Sequence, residues 1–258
     1  MEKVLQVKDL SVHIGKELVH NISFDLGAEE RLGIFGQSGS GKSVTMYAIL
    51  DLLDKKAKID GEVLIQNTDV RQLDVLERRR FLGKNISIIF QDSINALNPY
   101  EKIKTQMRRT IMLHHRLKGK AADNFAAEKL EEMGLDAKRV LEAYPGQLSG
   151  GMRQRVFIAL SLCTDPKIIV ADEPTTSLDT ISQMRFIRLI ADISKKHSLP
   201  LIFISHNLGL IAKLCENVLV MSEGEIIERG KVSEIFQNPA HPVTQEIVRE
   251  TKKLYEEA

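Results

Sequence analysis

Gly36-Gln37-Ser38-Gly39-Ser40-Gly41-Lys42-Ser43 constrains this chain more than any other stretch. The apolar run Leu32-Gly33-Ile34-Phe35 precedes it and reads as a buried strand, and a helix-capable run from Val44 to Leu53 follows. Strand, glycine-rich turn and helix are the context in which G-x-x-x-x-G-K-[ST] binds phosphate. Gly36, Gly39 and Gly41 carry no Cβ, so the backbone can bend tightly and approach an anion closely. Successive N–H groups and the positive end of the following helix then converge on the same phosphate oxygens. Lys42 adds a full charge at the β- and γ-phosphates, and the Ser43 hydroxyl is placed to ligate Mg²⁺. A nucleotide site inside an α/β fold is the expectation.

The strand signals fit that class. Leu10, Val12 and Ile14, then Ile22, Phe24 and Leu26, alternate with polar residues as in half-buried strands ahead of the loop. Gly61 to Ile65 and Ile86 to Phe90 read as further strands. Ile168 to Val170 and Leu201 to Ile204 flank a helical run, Ser182 to Lys196, and such alternation argues for parallel strands with crossover helices. Val218 to Met221, a turn at Glu223-Gly224 and Ile226-Ile227 predict a closing hairpin, with a final helix from Thr244. Between Lys102 and Leu135 the texture is helical, with Ala122, Phe125, Ala126, Leu130 and Met133 on one face and Gly134 as the stop. The resulting division is a nucleotide-binding core over 1–91 and 161–235, a helical insert over 92–160 and a tail over 236–258.

Bulk properties exclude several classes. A net charge of +1 gives no basic field for nucleic acid. The two cysteines, Cys163 and Cys215, sit in apolar stretches and read as small core residues rather than a disulfide or zinc site. No long apolar segment follows Met1 and no run approaches a membrane span, so a cytoplasmic location is expected, with any membrane attachment supplied by other subunits.

Two further stretches carry chemistry. Lys167 to Ala171 reads as a strand ending in Asp172-Glu173, and parallel sheets bind ligands at the carboxyl ends of their strands. Asp172 is expected to hold Mg²⁺ and Glu173 to orient the attacking water. Ser149-Gly150-Gly151 precedes a helix-capable run, with Ser149 as its N-cap.

Gly36 to Ser43, Gln91, Leu148 to Met152, Asp172-Glu173, Ser177-Leu178-Asp179 and His206, in this order and spacing, resemble an ATP-binding cassette (ABC) ATPase over nearly the whole chain. The resemblance implies a P-loop core with a parallel sheet, an N-terminal antiparallel β subdomain and an inserted α-helical subdomain. It implies ATP bound by Gly36 to Ser43 with Val44, and stacking of adenine near residue 13, where the family usually has an aromatic and the candidates here are His13 and Ile14. Gln91 becomes the Q-loop residue, a ligand of Mg²⁺ beside Ser43 and Asp172, and takes part in catalysis with Glu173 and His206. Ser149, Gly150, Gly151 and Asp179 are implied to act on nucleotide held by a second cassette, a non-identical relative. Gln91 to Pro99, Tyr144 to Gln147 and Asn238-Pro239-Ala240-His241-Pro242-Val243-Thr244 are similar to the peptide/nickel importer branch. That branch implies two membrane permease subunits, an extracytoplasmic substrate-binding protein acting indirectly, and a place on the cytoplasmic face of the membrane. Peptide, nickel or a metal–chelator complex is the implied cargo. Met152 stands for the family's commoner Gln, and Val243 for the branch's Tyr. A cassette subunit of a carbon–phosphorus lyase complex, or a soluble ABC ATPase acting on nucleic acid, is the alternative.

Overall fold

The computed structural model describes residues 2–90, 96–176 and 178–256, with side chains to Lys252. In chain order, β1 (Lys3–Ile14), β2 (Lys16–Gly27) and β3 (Arg31–Phe35) lead to α1 (Lys42–Ile49). β4 (Lys58–Ile65), β5 (Thr68–Asp69), α2 (Val75–Asn85) and β6 (Ile86–Ile89) come next. Helices α3 (Ile103–His115), α4 (Gly119–Glu132), α5 (Ala137–Glu142) and α6 (Gly150–Leu162) are followed by β7 (Ile168–Asp172) and α7 (Thr180–Lys196). The chain ends through β8 (Leu201–Ser205), α8 (Leu208–Leu214), β9 (Asn217–Ser222), β10 (Glu225–Lys231), α9 (Val232–Gln237) and α10 (Pro242–Glu256). These elements form two units, Met1–Leu82 with Ile190–Ala258, and Gly83–Leu189.

The first unit holds an antiparallel sheet, ordered β2-β1-β4-β5. Leu10, Val12, Ile22, Phe24 and Leu26 are buried in it, as their alternation predicts. Beside that sheet's sequence lies a second set of strands in which β3 pairs in parallel with both β8 and β9, and β10 pairs antiparallel with β9. Leu32, Ile34, Ile202, Phe203, Ile204, Val218 and Val220 are all buried, because strands covered on both faces need apolar residues at successive positions.

In the second unit β6 and β7 run parallel, and every residue of β7 is buried. Ile103, Met107 and Ile111 of α3, Ala122, Ala126 and Leu130 of α4, and Val156, Ile158 and Ala159 of α6 form the helical core. Basic side chains of these helices are paired: Arg108 and Lys104 with Asp123, and Lys102 and Lys104 with Glu142. The α/β class, the antiparallel N-terminal sheet, the parallel strands and the helices all match the reading of the sequence.

Several boundaries differ for physical reasons. Helix α1 stops at Ile49 rather than Leu53, because Asp51 adopts a left-handed φ of 56° and Leu52 N–H bonds back to Tyr47 O at 2.9 Å, a Schellman closure. Gly134 (φ 68°) ends α4 in the same way, with Leu135 N–H donating to Leu130 O at 3.1 Å, as its position predicts. The helical run from Lys102 is two helices, divided at Arg116 (φ 58°). Helix α2 has no apolar periodicity to reveal it, since Leu82 is its buried residue. Its start was nonetheless written as a capping pair, Asp74 accepting from Glu77 N–H at 2.9 Å and Glu77 accepting from Asp74 N–H at 3.4 Å.

Cys163 and Cys215 are free and buried, the core role expected of them. Burial pushes both thiols up, that of Cys163 to about 12. Neither is expected to react with a disulfide reagent near pH 8 in the folded protein, and both should react on unfolding. Thiol titration with and without guanidinium checks this; a rapidly reacting native thiol would contradict it.

Candidate functional site

The phosphate loop leaves the carboxyl end of β3 and closes around Lys42. That side chain is buried, and its Nζ donates to Gly36 O at 2.8 Å and Gln37 O at 2.9 Å. A Cβ on Gly36 would lie 2.4 Å from both Met221 O and Ser40 Oγ, so the loop can pass there only as glycine. Gly41, at φ 99°, is the N-cap of α1 and brings no capping side chain, and the first turn of α1 contains no acid. The first turn of the helix therefore presents backbone donors and its positive end with no acid of its own. Two buried hydroxyl oxygens, Ser40 Oγ and Thr45 Oγ1, have no hydrogen-bond partner among the described residues. A bare glycine passage, an uncapped helix start, a lysine ammonium and orphan hydroxyls together fit a polyphosphate and its cation. Gln37, Ser38 and Gly39 are exposed along the loop, and Ser43 and Val44 are half-buried at the start of α1. Thr45 escaped the reading of the sequence; a small hydroxyl side chain one turn into the helix was its signal.

Strand register brings His206 to the same edge as the loop. β3 and β8 are parallel neighbours with Phe35 opposite Ser205, so Gly36 and His206 leave adjacent strand ends. His206 is exposed, and the segment around it is pinned. Asn207 N–H donates to Ser205 Oγ at 3.0 Å, and the Asn207 side chain caps α8 by accepting from Leu210 N–H at 3.2 Å. His13 lies near the end of β1, opposite Glu17 on β2 and Lys58 on β4. Its Nε2 is 3.6 Å from Glu17 Oε1, while the other Glu17 oxygen is 3.4 Å from His20 Nδ1. The imidazole is thus 40% exposed at the hairpin tip, with a carboxylate shared between two histidines.

The second unit holds the acids and the serine–glycine turn. Asp172 is the buried last residue of β7. Glu173 follows at φ 45°, a left-handed conformation that costs a non-glycine residue on the order of 1 kcal/mol. The turn pays for it with Thr176, whose Oγ1 donates to Glu173 Oε2 at 3.1 Å. Ser149 caps α6 by accepting from Met152 N–H at 3.3 Å. Among the described residues, a Cβ on Gly150 or Gly151 would meet nothing within 4 Å beyond its own helix and chain neighbours. Packing among the described residues therefore places no demand for glycine there. Asp179 caps α7, accepting from Ser182 N–H at 3.0 Å and Ser182 Oγ at 2.7 Å. Those hydrogen bonds hold its carboxyl below the usual aspartate range. Gln91 and Ser177 lie outside the described residues.

A family model described as "ABC transporter" matches residues 19–176. The chain is 38% identical, over 98% of its length and 79% of the relative's, to the dipeptide transport ATP-binding protein DppD of Haemophilus influenzae. It is 41% identical, over 94% of its length and 70% of the relative's, to the oligopeptide transport ATP-binding protein OppD of Bacillus subtilis. Among solved structures it resembles cbiO1 from Clostridium perfringens, part of the ABC transporter complex cbiONQ, with a TM-score of 0.81, 24% identity and coverage of 97% and 94% of the two chains. It also resembles the ATP-binding cassette MJ0796 in a dimeric post-hydrolysis state bound to ADP and Pi, with a TM-score of 0.75, 27% identity and coverage of 88% and 98%.

Loss of the α6 cap gives a direct test of this local structure. Ser149→Ala is expected to lower stability by about 1 kcal/mol in urea unfolding, whereas Gly150→Ala, with open space around it, should cost nothing measurable. Equal behaviour of the two variants would contradict the cap.

Proposed function

This chain belongs to the ABC transporter family, and we propose that it is the ATP-hydrolysing subunit of a peptide importer. ATP is its substrate and the reaction is hydrolysis to ADP and phosphate. One observation carries the finer reading: a loop shaped for polyphosphate lies in a chain that aligns over 94% or more of its own length with peptide-transport ATP-binding proteins. Of the cargoes that the resemblance implied, peptide is the one those relatives' names support.

In this reading the N–H groups from Gly36 to Val44 and the ammonium of Lys42 hold the triphosphate, and His13 lies against adenine. Ser43, Gln91 and Asp172 would hold Mg²⁺, which neutralises charge on the β- and γ-oxygens when bound. Glu173 orients and polarises the attacking water, and His206 reaches the γ-phosphate. Phosphoryl transfer leaves the protein mainly positioning and electrostatics to supply, which suits side chains fixed at strand ends and capped turns. Ser149, Gly150, Gly151 and Asp179 act on nucleotide held by a second cassette. Binding then favours a closed pair and hydrolysis releases it, a two-state equilibrium biased by the γ-phosphate. No helix among the described residues is long and apolar enough to cross a membrane. In this reading two permease subunits supply the membrane attachment, and this chain lies on their cytoplasmic side.

Gentle detergent extraction tests the assembly: the chain should co-purify with membrane permeases and a second cassette. Recovery with soluble enzyme subunits alone would overturn the importer reading. In the reconstituted complex, Lys42→Ala should weaken ATP binding at least roughly tenfold. Glu173→Gln should keep ATP binding but lose about a hundredfold or more in hydrolysis; a parental rate would remove its assigned role.

A further inference from the structure

Strands β9 and β10 are joined by a two-residue turn in which Glu223 (φ 49°) and Gly224 (φ 84°) are both left-handed, the backbone that a tight hairpin requires. Most such turns face solvent and touch nothing. This one meets two other segments of its own unit. Gly224 N–H donates to Ser40 O of the phosphate loop at 3.1 Å, and Gly224 O accepts from His20 N–H of β2 at 2.9 Å. The fit leaves no room for a side chain: a Cβ on Gly224 would lie 2.6 Å from Leu18 O and 2.6 Å from His20 Cδ2. The loop is equally tight from its own side, since a Cβ on Gly41 would lie 3.2 Å from Gly224 Cα and 3.2 Å from Leu18 O.

We propose that Gly224 is a positioning residue for ATP binding, orienting the Ser40–Gly41 peptide of the phosphate loop. This rests on the assignment of that loop to ATP. The reason is peptide geometry. In a trans peptide the C=O and the following N–H point in opposite directions. Tying Ser40 O to Gly224 therefore turns the Gly41 N–H away from the hairpin, and rotation of this peptide would break the Gly224 bond. Two glycines facing each other across van der Waals distance make the contact possible, and neither can gain a methyl group without moving backbone atoms. The hairpin thus sets the direction of one phosphate donor without touching nucleotide.

Gly224→Ala in the full chain tests this, with equilibrium binding of ATP as the readout. The affinity of the folded fraction should fall by roughly tenfold or more, the scale of one charge-assisted hydrogen bond, with helical content unchanged. In the reconstituted complex the loss should appear in KM more than in kcat. A turn that served only to stabilise the fold would lower the melting temperature and leave the affinity of the folded protein as it was. Gly230→Ala in the same hairpin, where a Cβ would meet nothing closer than 3.7 Å, should bind ATP with parental affinity. Failure of the parental chain to bind ATP would defeat the ATPase reading itself, whereas parental affinity in folded Gly224→Ala would defeat this inference alone. Should Gly224→Ala not fold, amide exchange of the parental chain decides. Saturating ATP should slow exchange at the 222–226 turn together with the phosphate loop, and protection of the loop without the turn would overturn the proposal.

Discussion

Taking a lysine ammonium out of water costs several kcal/mol unless hydrogen bonds replace its hydration. Lys42 is 4% exposed, and the carbonyls of Gly36 and Gln37 supply that replacement. To do so the backbone must curl around the side chain within a few residues, and much of the surrounding architecture follows from that curl. Gly36 must pass beneath Met221 O, Gly41 must take a left-handed φ at the helix start, and the β9–β10 hairpin must lie close behind. The lysine is also the first residue of α1, so its charge and the helix's positive end stand at the same place. Such a concentration of positive potential is favourable toward a polyphosphate.

Parallel strands give this loop a platform. The Phe35–Ser205 register aligns two strand ends, from which Gly36 and His206 depart as neighbours. In the second unit β7 ends in a buried aspartate, and the chain turns sharply through Glu173. At each of these exits a local device stops the chain from fraying. Asn207 caps α8, Ser149 caps α6, Asp179 caps α7, and Thr176 holds the Glu173 carboxylate. The chemistry-bearing positions are thus loops in which neighbouring polar side chains have already fixed the backbone, which lowers the entropy lost when a ligand binds.

The sequence was legible where one residue type answers one physical demand. Gly134 ends α4 because the closure needs a left-handed residue, and the apolar runs of β3, β7 and β8 mark strands buried on both faces. Legibility failed where the demand is met by ordinary residues or by distant ones. Asp51 closes α1 in the left-handed region without being glycine, and α2 buries too little to show a period. Thr45 reads as one polar residue in a helix until the burial of its hydroxyl is known. Glu223-Gly224 announces a turn, but its contact with Ser40 joins residues that lie far apart in the chain, and no local pattern encodes that distance.

The glycines separate what this chain completes by itself from what it leaves to others. At Gly36, Gly41 and Gly224 the missing Cβ is explained by atoms of the same unit, each within 3.2 Å of where it would stand. At Gly150 and Gly151 an added Cβ would meet nothing within 4 Å among the described residues beyond its own helix and chain neighbours, although two consecutive glycines at a helix start carry a cost in backbone entropy. A cost with no internal return is expected where the return lies in another molecule. In the proposed assembly that molecule is the nucleotide of a second cassette, brought against backbone N–H groups that a side chain would shield. In that assembly the phosphate loop is shaped by its own fold, whereas the Ser149 turn serves the nucleotide of a second cassette.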